Sequence, residues 1–190
     1  MSDLKNKWDD IYRQRTGTTP EPALMLSRYS HLLPQQGVAL DLACGLGGNT
    51  FFLAQRGFQV DAWDISEIAI EHIKRNTPVP TNTHALATNI SDTALALNHY
   101  DVITVSRFLD RQLVSSIMAA LKPGGLLFYQ TFTVEKTRPI GPTNTLYLLA
   151  RGELLSLFSA LTPLIYHDEG LVGDAEKGIR NEAILIAQKP

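Results

Sequence analysis

From about residue 38 onward, short runs of apolar and β-branched residues alternate with stretches in which apolar residues recur every three or four positions. This is the pattern of a parallel sheet flanked by helices. Ahead of it, Trp8, Ile11 and Tyr12 stand at i, i+3 and i+4 within residues 6–13, so a short helix there carries all three on one face. The run 16–20 breaks that helix. Residues 21–33 read as a second helix, with Leu24, Leu26, Tyr29, Leu32 and Leu33 apolar, stopped by Pro34 and the 35–37 turn. Strands are predicted at Val38–Leu42, 58–64, 84–87, Tyr100–Ser106, 126–131, 164–167 and 183–187. One helix runs through Phe51, Phe52 and Leu53 to Gly57. Another is capped by Ser66 and passes through Ile70, Ile73 and Lys74 until Pro78 and Pro80 end it; 113–121 and 152–161 complete the helical set. Residues 122–125 form a tight turn. The last two strands read as a terminal hairpin around a polar 170–178 turn, which sets the final strand against the others. The loop 133–144 carries two prolines and a glycine and is too long for an ordinary connector, so it is expected to belong to the functional site.

Composition narrows the partners. The 190 residues include 17 basic and 19 acidic side chains, for a net charge of −2, and a sequence pI near 6.2. No charge surplus is present to hold a polyanion, so nucleic acid is not an expected partner and small molecules are. The single cysteine, Cys44, has no disulfide partner in the chain. A chain this long buries roughly 70% of its unfolded surface and needs no metal or disulfide staple; no metal site is expected. The first residues lack the basic start and apolar core of a signal peptide, and no apolar run reaches the roughly 18 residues of a membrane span. A cytoplasmic, soluble protein, monomeric or homodimeric and free of membrane, is expected.

The chemistry concentrates in one turn. A strand, then Asp41-Leu42-Ala43-Cys44-Gly45-Leu46-Gly47-Gly48, then a helix, is the context in which a glycine-rich turn binds a nucleotide cofactor: ligand approaches bare backbone, and the helix start supplies unpaired N–H groups. Asp64 ends the second strand about 20 residues beyond that turn, where a carboxylate accepts both hydroxyls of a ribose. A dinucleotide fingerprint wants a third glycine at position 50, which is Thr50. Asp41, an anion close to the phosphate position, disfavours a pyrophosphate and suits a cationic ligand; S-adenosylmethionine carries an ammonium and a sulfonium.

These residues resemble the class I S-adenosylmethionine-dependent methyltransferases. The resemblance runs from the 40–48 turn and Asp64 through 100–111 and 121–127. Within the family, Arg107 to Arg111, Gln130 to Thr133 and Gly152 to Leu155 look most like the small tellurite-resistance-type enzymes. The resemblance implies a single α/β domain of Rossmann-like, three-layer build, with a seven-stranded, mostly parallel sheet and an antiparallel last strand. Residues 1–35 would form a helical cap and 36–190 the core. It implies that Asp41, Ala43, Gly45 and Gly47 frame the methionine end of S-adenosylmethionine, that Asp64 holds the ribose, that Ile65 packs on the adenine, and that Asn89 stands where the family often has an acid for the adenine amino group. Cys44, Asn49, Ile90 and Ser106 complete the expected cofactor set. Trp8, Tyr12 and Arg13 on the leading helix would fold over the cofactor as a lid, with aromatic faces toward the sulfonium.

The acceptor pocket is expected beyond the fourth strand, where Ser106, Arg107, Phe108 and Arg111 emerge at the carboxyl edge of the sheet. Arg107 and Arg111 are the expected catalytic pair. With Arg138 of the long loop they would form an anion-binding cluster, because the guanidinium fork matches oxyanions and carboxylates. None of the five histidines is assigned to catalysis. The expected activity is methyl transfer to a small nucleophile: a chalcogen oxyanion such as tellurite or selenite, a thiol, or a metabolite hydroxyl. Two alternatives remain open at this point, a nicotinamide-dependent Rossmann oxidoreductase and a non-catalytic module that binds S-adenosylmethionine.

Overall fold

The computed structural model describes residues 2–92 and 94–190. Met1 and Thr93 lie outside the described residues. Among those described, seven strands make one sheet. They are β1 (Val38–Leu42), β2 (Gln59–Asp64), β3 (Thr83–Ala87), β4 (Tyr100–Ser106), β5 (Leu121–Phe132), β6 (Thr162–His167) and β7 (Glu182–Gln188), in the spatial order β3-β2-β1-β4-β5-β7-β6. The pairs β1–β2, β1–β4, β2–β3 and β4–β5 are parallel. Strand β7 slots between β5 and β6 and runs antiparallel to both, so the terminal pairing and the reversed last strand follow the sequence expectation. Strand order reverses between β1 and β4, and the carboxyl ends of these two strands border the crevice where such sheets bind ligands.

Period-2 alternation sends the strand residues to two cores. Leu40, Leu42, Ile103, Val105, Leu127 and Tyr129 face Ile117 of α5 (Val114–Ala120) and Leu154 of α6 (Glu153–Leu157). Ala39, Val60, Val102 and Phe128 face Met25 and Leu26 of α2 (Leu24–Arg28) and Leu53 of α3 (Gly48–Ala54). Ile70 and Ile73 of α4 (Glu67–Asn76) cover Ala62 and Cys44. Helix α4 starts where its chemistry predicts: Ser66 Oγ accepts from Ala69 N at 3.2 Å, with Glu67 in the first turn and Lys74 and Arg75 in the last to match the helix dipole.

Four boundaries differ from expectation. The leading helix α1 (Ser2–Arg13) starts earlier, and Lys5 bridges to Asp9 one turn on at 2.9 Å. The second helix shrinks to α2 and a 3-10 turn at Ser30–Leu32. Pro20 and Pro22 hold the segment before it extended, and the first helical N–H groups are taken from outside, by Asn49 Oδ1 on Ala23 N and Gln130 Oε1 on Met25 N. The 122–125 turn is a bulge inside β5: β4 pairing steps from Tyr100 opposite Leu121 to Val102 opposite Leu126, with Gly124 at φ +78°. Helix α6 spans only five residues of the predicted 152–161.

Gly48 shows how closely the helices are set on the sheet. A Cβ at this position would stand 2.1 Å from the Glu21 carbonyl oxygen, backbone against backbone. Gly48→Ala must separate α3 from the segment before α2, at an expected cost of about 1–3 kcal/mol. Urea denaturation measures it; an unchanged midpoint would show that this contact carries no weight.

Candidate functional site

The crevice is built around a buried carboxylate. Asp41 in β1 is fully buried, on the α3 side of the sheet. It accepts hydrogen bonds from Thr50 Oγ1 (2.7 Å), Thr104 Oγ1 (3.0 Å) and Asn49 Nδ2 (3.3 Å). Asn49 also donates to Ser106 Oγ at 3.3 Å and receives Ala23 N at 2.8 Å. One carboxylate and one amide thus tie together β1, β4, α3 and the approach to α2. Burial pushes the Asp41 carboxyl up to about 6, against the opposing pull of those donors.

Above Asp41 the chain leaves β1 through Ala43, in the left-handed region at φ +57°, and turns through Gly45 (φ +53°) to Gly47 (φ +92°), the N-cap of α3. Asp64, at the end of β2, fastens this turn. Its Oδ2 accepts Gly45 N and its Oδ1 accepts Ser66 N, both at 2.9 Å. Burial raises the Asp64 carboxyl, and the backbone N–H groups of Ser66, Gly45 and Ile65, together with the Tyr12 hydroxyl, oppose that rise. Trp8 and Tyr12 of α1 stack with ring centroids 5.6 Å apart. A Cβ on Gly45 would stand 3.1 Å from Tyr12 Oη, so α1 covers the bare backbone of the turn.

The glycines do different jobs. Gly45 leaves room for Tyr12, whose hydroxyl and ring stand 3.1–3.5 Å from where a Cβ would lie. A Cβ on Gly47 would collide with Ile73 at 2.7 Å and with Phe51, so Gly47 shapes helix packing as well as the turn. Thr50 does more than break a dinucleotide pattern: it is the shortest donor to Asp41. Neither its role nor that of Thr104 was predicted, although a threonine spaced to reach a buried strand-end carboxylate is the available signal.

Several predicted residues are placed otherwise than expected. Asp41 is sealed beneath the turn, with no exposed surface of its own, and is bonded to Asn49. The Cys44 side chain packs with Ala62, Ile70 and Ile73, and burial lifts its thiol well above the ordinary range; only its backbone belongs to the turn. Ile90 lies in the α5-side core. Arg13 is exposed and paired with Asp10 at 2.6 Å. Ile65 and Asn89 are half-buried at the ends of β2 and β3, and Ser106 ends β4 beside Asn49.

The three arginines do not form an anion cluster. Arg111 is committed to structure: Nε and Nη2 hold Glu153 at 2.6 and 3.0 Å, and Nη1 and Nη2 take the carbonyls of Leu146 and Leu148 at 2.7 and 3.0 Å. It ties the 146–148 segment to the start of α6. Arg138 pairs with Glu176 at 2.9 Å. Arg107, in the left-handed region at φ +53°, gives Nε to Glu182 at 2.9 Å and keeps Nη1 and Nη2 without hydrogen-bond partners among the described residues. Glu182, buried at the start of β7, also accepts Gln130 Nε2, and Gln130 Oε1 accepts Met25 N at 2.9 Å. This relay across four elements was not predicted, because Glu182 reaches the crevice only through the antiparallel insertion of β7.

Comparison with known proteins agrees with this geometry. Residues 39–125 match the family described as methyltransferase domain. An uncharacterized methyltransferase of Synechocystis, sll0829, is 32% identical over 110 residues, covering 50% of each chain, and Bacillus subtilis YqeM, named as a methyltransferase, is 25% identical over 122 residues, covering 60% of this chain and 49% of its own. The chain spans about half the length of these curated relatives. Among solved structures, TehB of Haemophilus influenzae superposes with TM-score 0.71 at 22% identity, over 96% of this chain and 67% of that one. An S-adenosylmethionine-dependent methyltransferase of Mesorhizobium loti superposes with TM-score 0.70 at 17% identity, over 88% and 99%. The [4+2]-cyclase SpnF shares the fold with TM-score 0.68 at 17% identity, over 88% and 78%, so the fold by itself does not fix the reaction.

The Asp41 carboxyl carries a pH signature. The folded state keeps its proton to about pH 6, whereas an unperturbed aspartate loses it near 3.8, so between these values the native state binds more protons than the unfolded state. Stability contributed at acid pH is therefore lost as pH rises through the folded value, by about 3 kcal/mol in all. In urea titrations from pH 4 to 7, wild type is expected to lose that amount relative to Asp41→Asn; parallel curves would refute the shift.

Proposed function

We propose that this chain is a class I S-adenosylmethionine-dependent methyltransferase that binds S-adenosylmethionine at the β1–α3 turn and transfers its methyl group to a small-molecule nucleophile; the methyltransferase-domain match over residues 39–125 and the shared fold support the reading. The observation that carries the proposal is the paired-carboxylate turn: Asp41 buried beneath it, and Asp64 holding Gly45 N at 2.9 Å beside it. The residues present fit this cofactor. Gly45 offers backbone that a Cβ would fill, the Tyr12 phenol on Asp64 is a hydroxyl standing where a ribose hydroxyl would bond, and the charge beneath the turn is anionic, which suits an ammonium and opposes a pyrophosphate. The same features disfavour a nicotinamide dinucleotide. Residues 1–35 would act as a helical cap on the core.

When bound, S-adenosylmethionine supplies a methyl group activated by a sulfonium. The residues here contribute position and dryness: Asp64 and Gly45 hold the nucleoside, Asn49 and Ser106 line the β1–β4 crevice, and Trp8 and Tyr12 exclude water. The free Nη groups of Arg107 would orient an acceptor carrying an oxyanion or carboxylate, with Glu182 holding the guanidinium in place. Arg111 is withdrawn from this role. A thiolate or oxyanion acceptor needs no general base near neutral pH.

Calorimetric titration with S-adenosylmethionine and S-adenosylhomocysteine, run beside NAD and NADP, tests the proposal. Saturable binding of the first pair alone is expected; binding of a dinucleotide would overturn it. Asp64→Ala should lose about 1.5–3 kcal/mol of cofactor affinity with its melting transition retained, because a charge-assisted acceptor is removed. Wild-type affinity in that variant would refute the ribose assignment.

A further inference from the structure

Asp9 on α1 is one of the few buried carboxylates outside the crevice, 6% exposed, and neither the fold nor the proposed chemistry accounts for it. Its Oδ1 receives Ser66 Oγ at 2.5 Å and Ile68 N at 3.4 Å, and its Oδ2 receives Lys5 Nζ at 2.9 Å; Lys5 reaches on to Glu67 at 3.3 Å. Ser66 is the N-cap of α4, accepting Ala69 N, and its own N–H is held by Asp64 Oδ1. One serine therefore faces the ribose acid on one side and the leading helix on the other. Burial disfavours the charge on Asp9, yet the bonds from Ser66, Lys5 and Ile68 outweigh it and hold the carboxyl below its ordinary range, so the contact persists at neutral pH. One turn after Asp9, Tyr12 reaches Gly45 and Asp64.

We infer that Asp9 is a positioning residue for cofactor retention: by completing the cap of α4 from a separate helix, it latches α1 to the turn that carries Asp64 and so keeps the helix bearing Trp8 and Tyr12 over the nucleoside site, the Tyr12 hydroxyl yielding its place on Asp64 to a ribose hydroxyl. The inference rests on the proposed S-adenosylmethionine site and adds a residue to it. Capping contacts of this kind normally come from the residue preceding the helix. Here part of that task is given to α1, so the docking of the lid and the order of the Asp64 turn share one set of hydrogen bonds.

The test measures S-adenosylhomocysteine affinity and release rate, amide hydrogen exchange in residues 2–13, and melting temperature for wild type, Asp9→Ala, Asp9→Asn and Ser66→Ala. Asp9→Ala is expected to weaken S-adenosylhomocysteine about tenfold through faster release, with faster exchange in α1 and a melting temperature close to wild type. Asp9→Asn keeps an accepting oxygen and should recover most of the affinity. Ser66→Ala should reproduce the faster exchange in α1. Undiminished affinity in Asp9→Ala with a loosened α1 would overturn the inference, as would an α1 that stays protected. Failure of the wild type to bind S-adenosylhomocysteine would instead remove the cofactor site itself, which separates the two claims.

Discussion

The crevice depends on the burial of one carboxylate. Asp41 sits in the interior strand β1, out of contact with water, and its desolvation is offset by three side-chain donors drawn from two elements. Those donors fix much of what surrounds it. Thr50 and Asn49 set the first turn of α3, Thr104 sets β4 against β1, and Asn49 carries the connection to Ser106 and to the segment before α2. A neutral aliphatic residue at position 41 would leave the Thr50 hydroxyl without its acceptor and Thr104 and Asn49 with only their other bonds, to Leu40 O and Ser106 Oγ, so the polar group is part of the packing. The arrangement at the carboxyl ends of β1 and β4 is thus specified by hydrogen bonds, while the apolar faces of the sheet supply the bulk of the stabilisation.

Asp41 and Asp64 share one turn but stand in different relation to a ligand. Asp64 touches the backbone of the turn and is reached by Tyr12, so it can exchange a protein donor for a ligand hydroxyl. Asp41 touches neither, and its influence is a field through a low-dielectric layer. A cation bound above the turn would favour the ionised form of Asp41, and the ionised form would favour the cation. The elevated carboxyl value follows from burial, which outweighs the pull of Thr50, Asn49 and Thr104.

The sheet was legible because strand alternation and helix periodicity are local signals, and so were the glycine turn and Asp64, which lie about 20 residues apart in one crossover unit. The pairings at the acceptor edge were not legible. Arg111 finds Glu153, Arg138 finds Glu176, and Arg107 finds Glu182, each a partner far along the chain that tertiary structure alone brings near. Residue type announced three cations emerging beside a pocket, but charge in a folded protein is set by neighbours. Asp9 was hidden for the same reason: within the leading helix it reads as one of several solvated acids, and only the docking of α1 on α4 buries it.

Backbone strain marks the same crevice. Ala43, just past the end of β1, and Arg107, just past the end of β4, are non-glycine residues in the left-handed region, and these two strands flank the reversal of strand order. Such conformations cost roughly 1–3 kcal/mol each and persist only where the surroundings over-determine them. Here the surroundings are visible. Cys44 N is bonded to Trp63 O at 3.0 Å, immediately after Ala43, while Arg107 N is bonded to Gln130 O at 2.8 Å and its guanidinium to Glu182. Both residues stand where a strand ends, so the strain falls at the two strand ends that border the reversal of strand order.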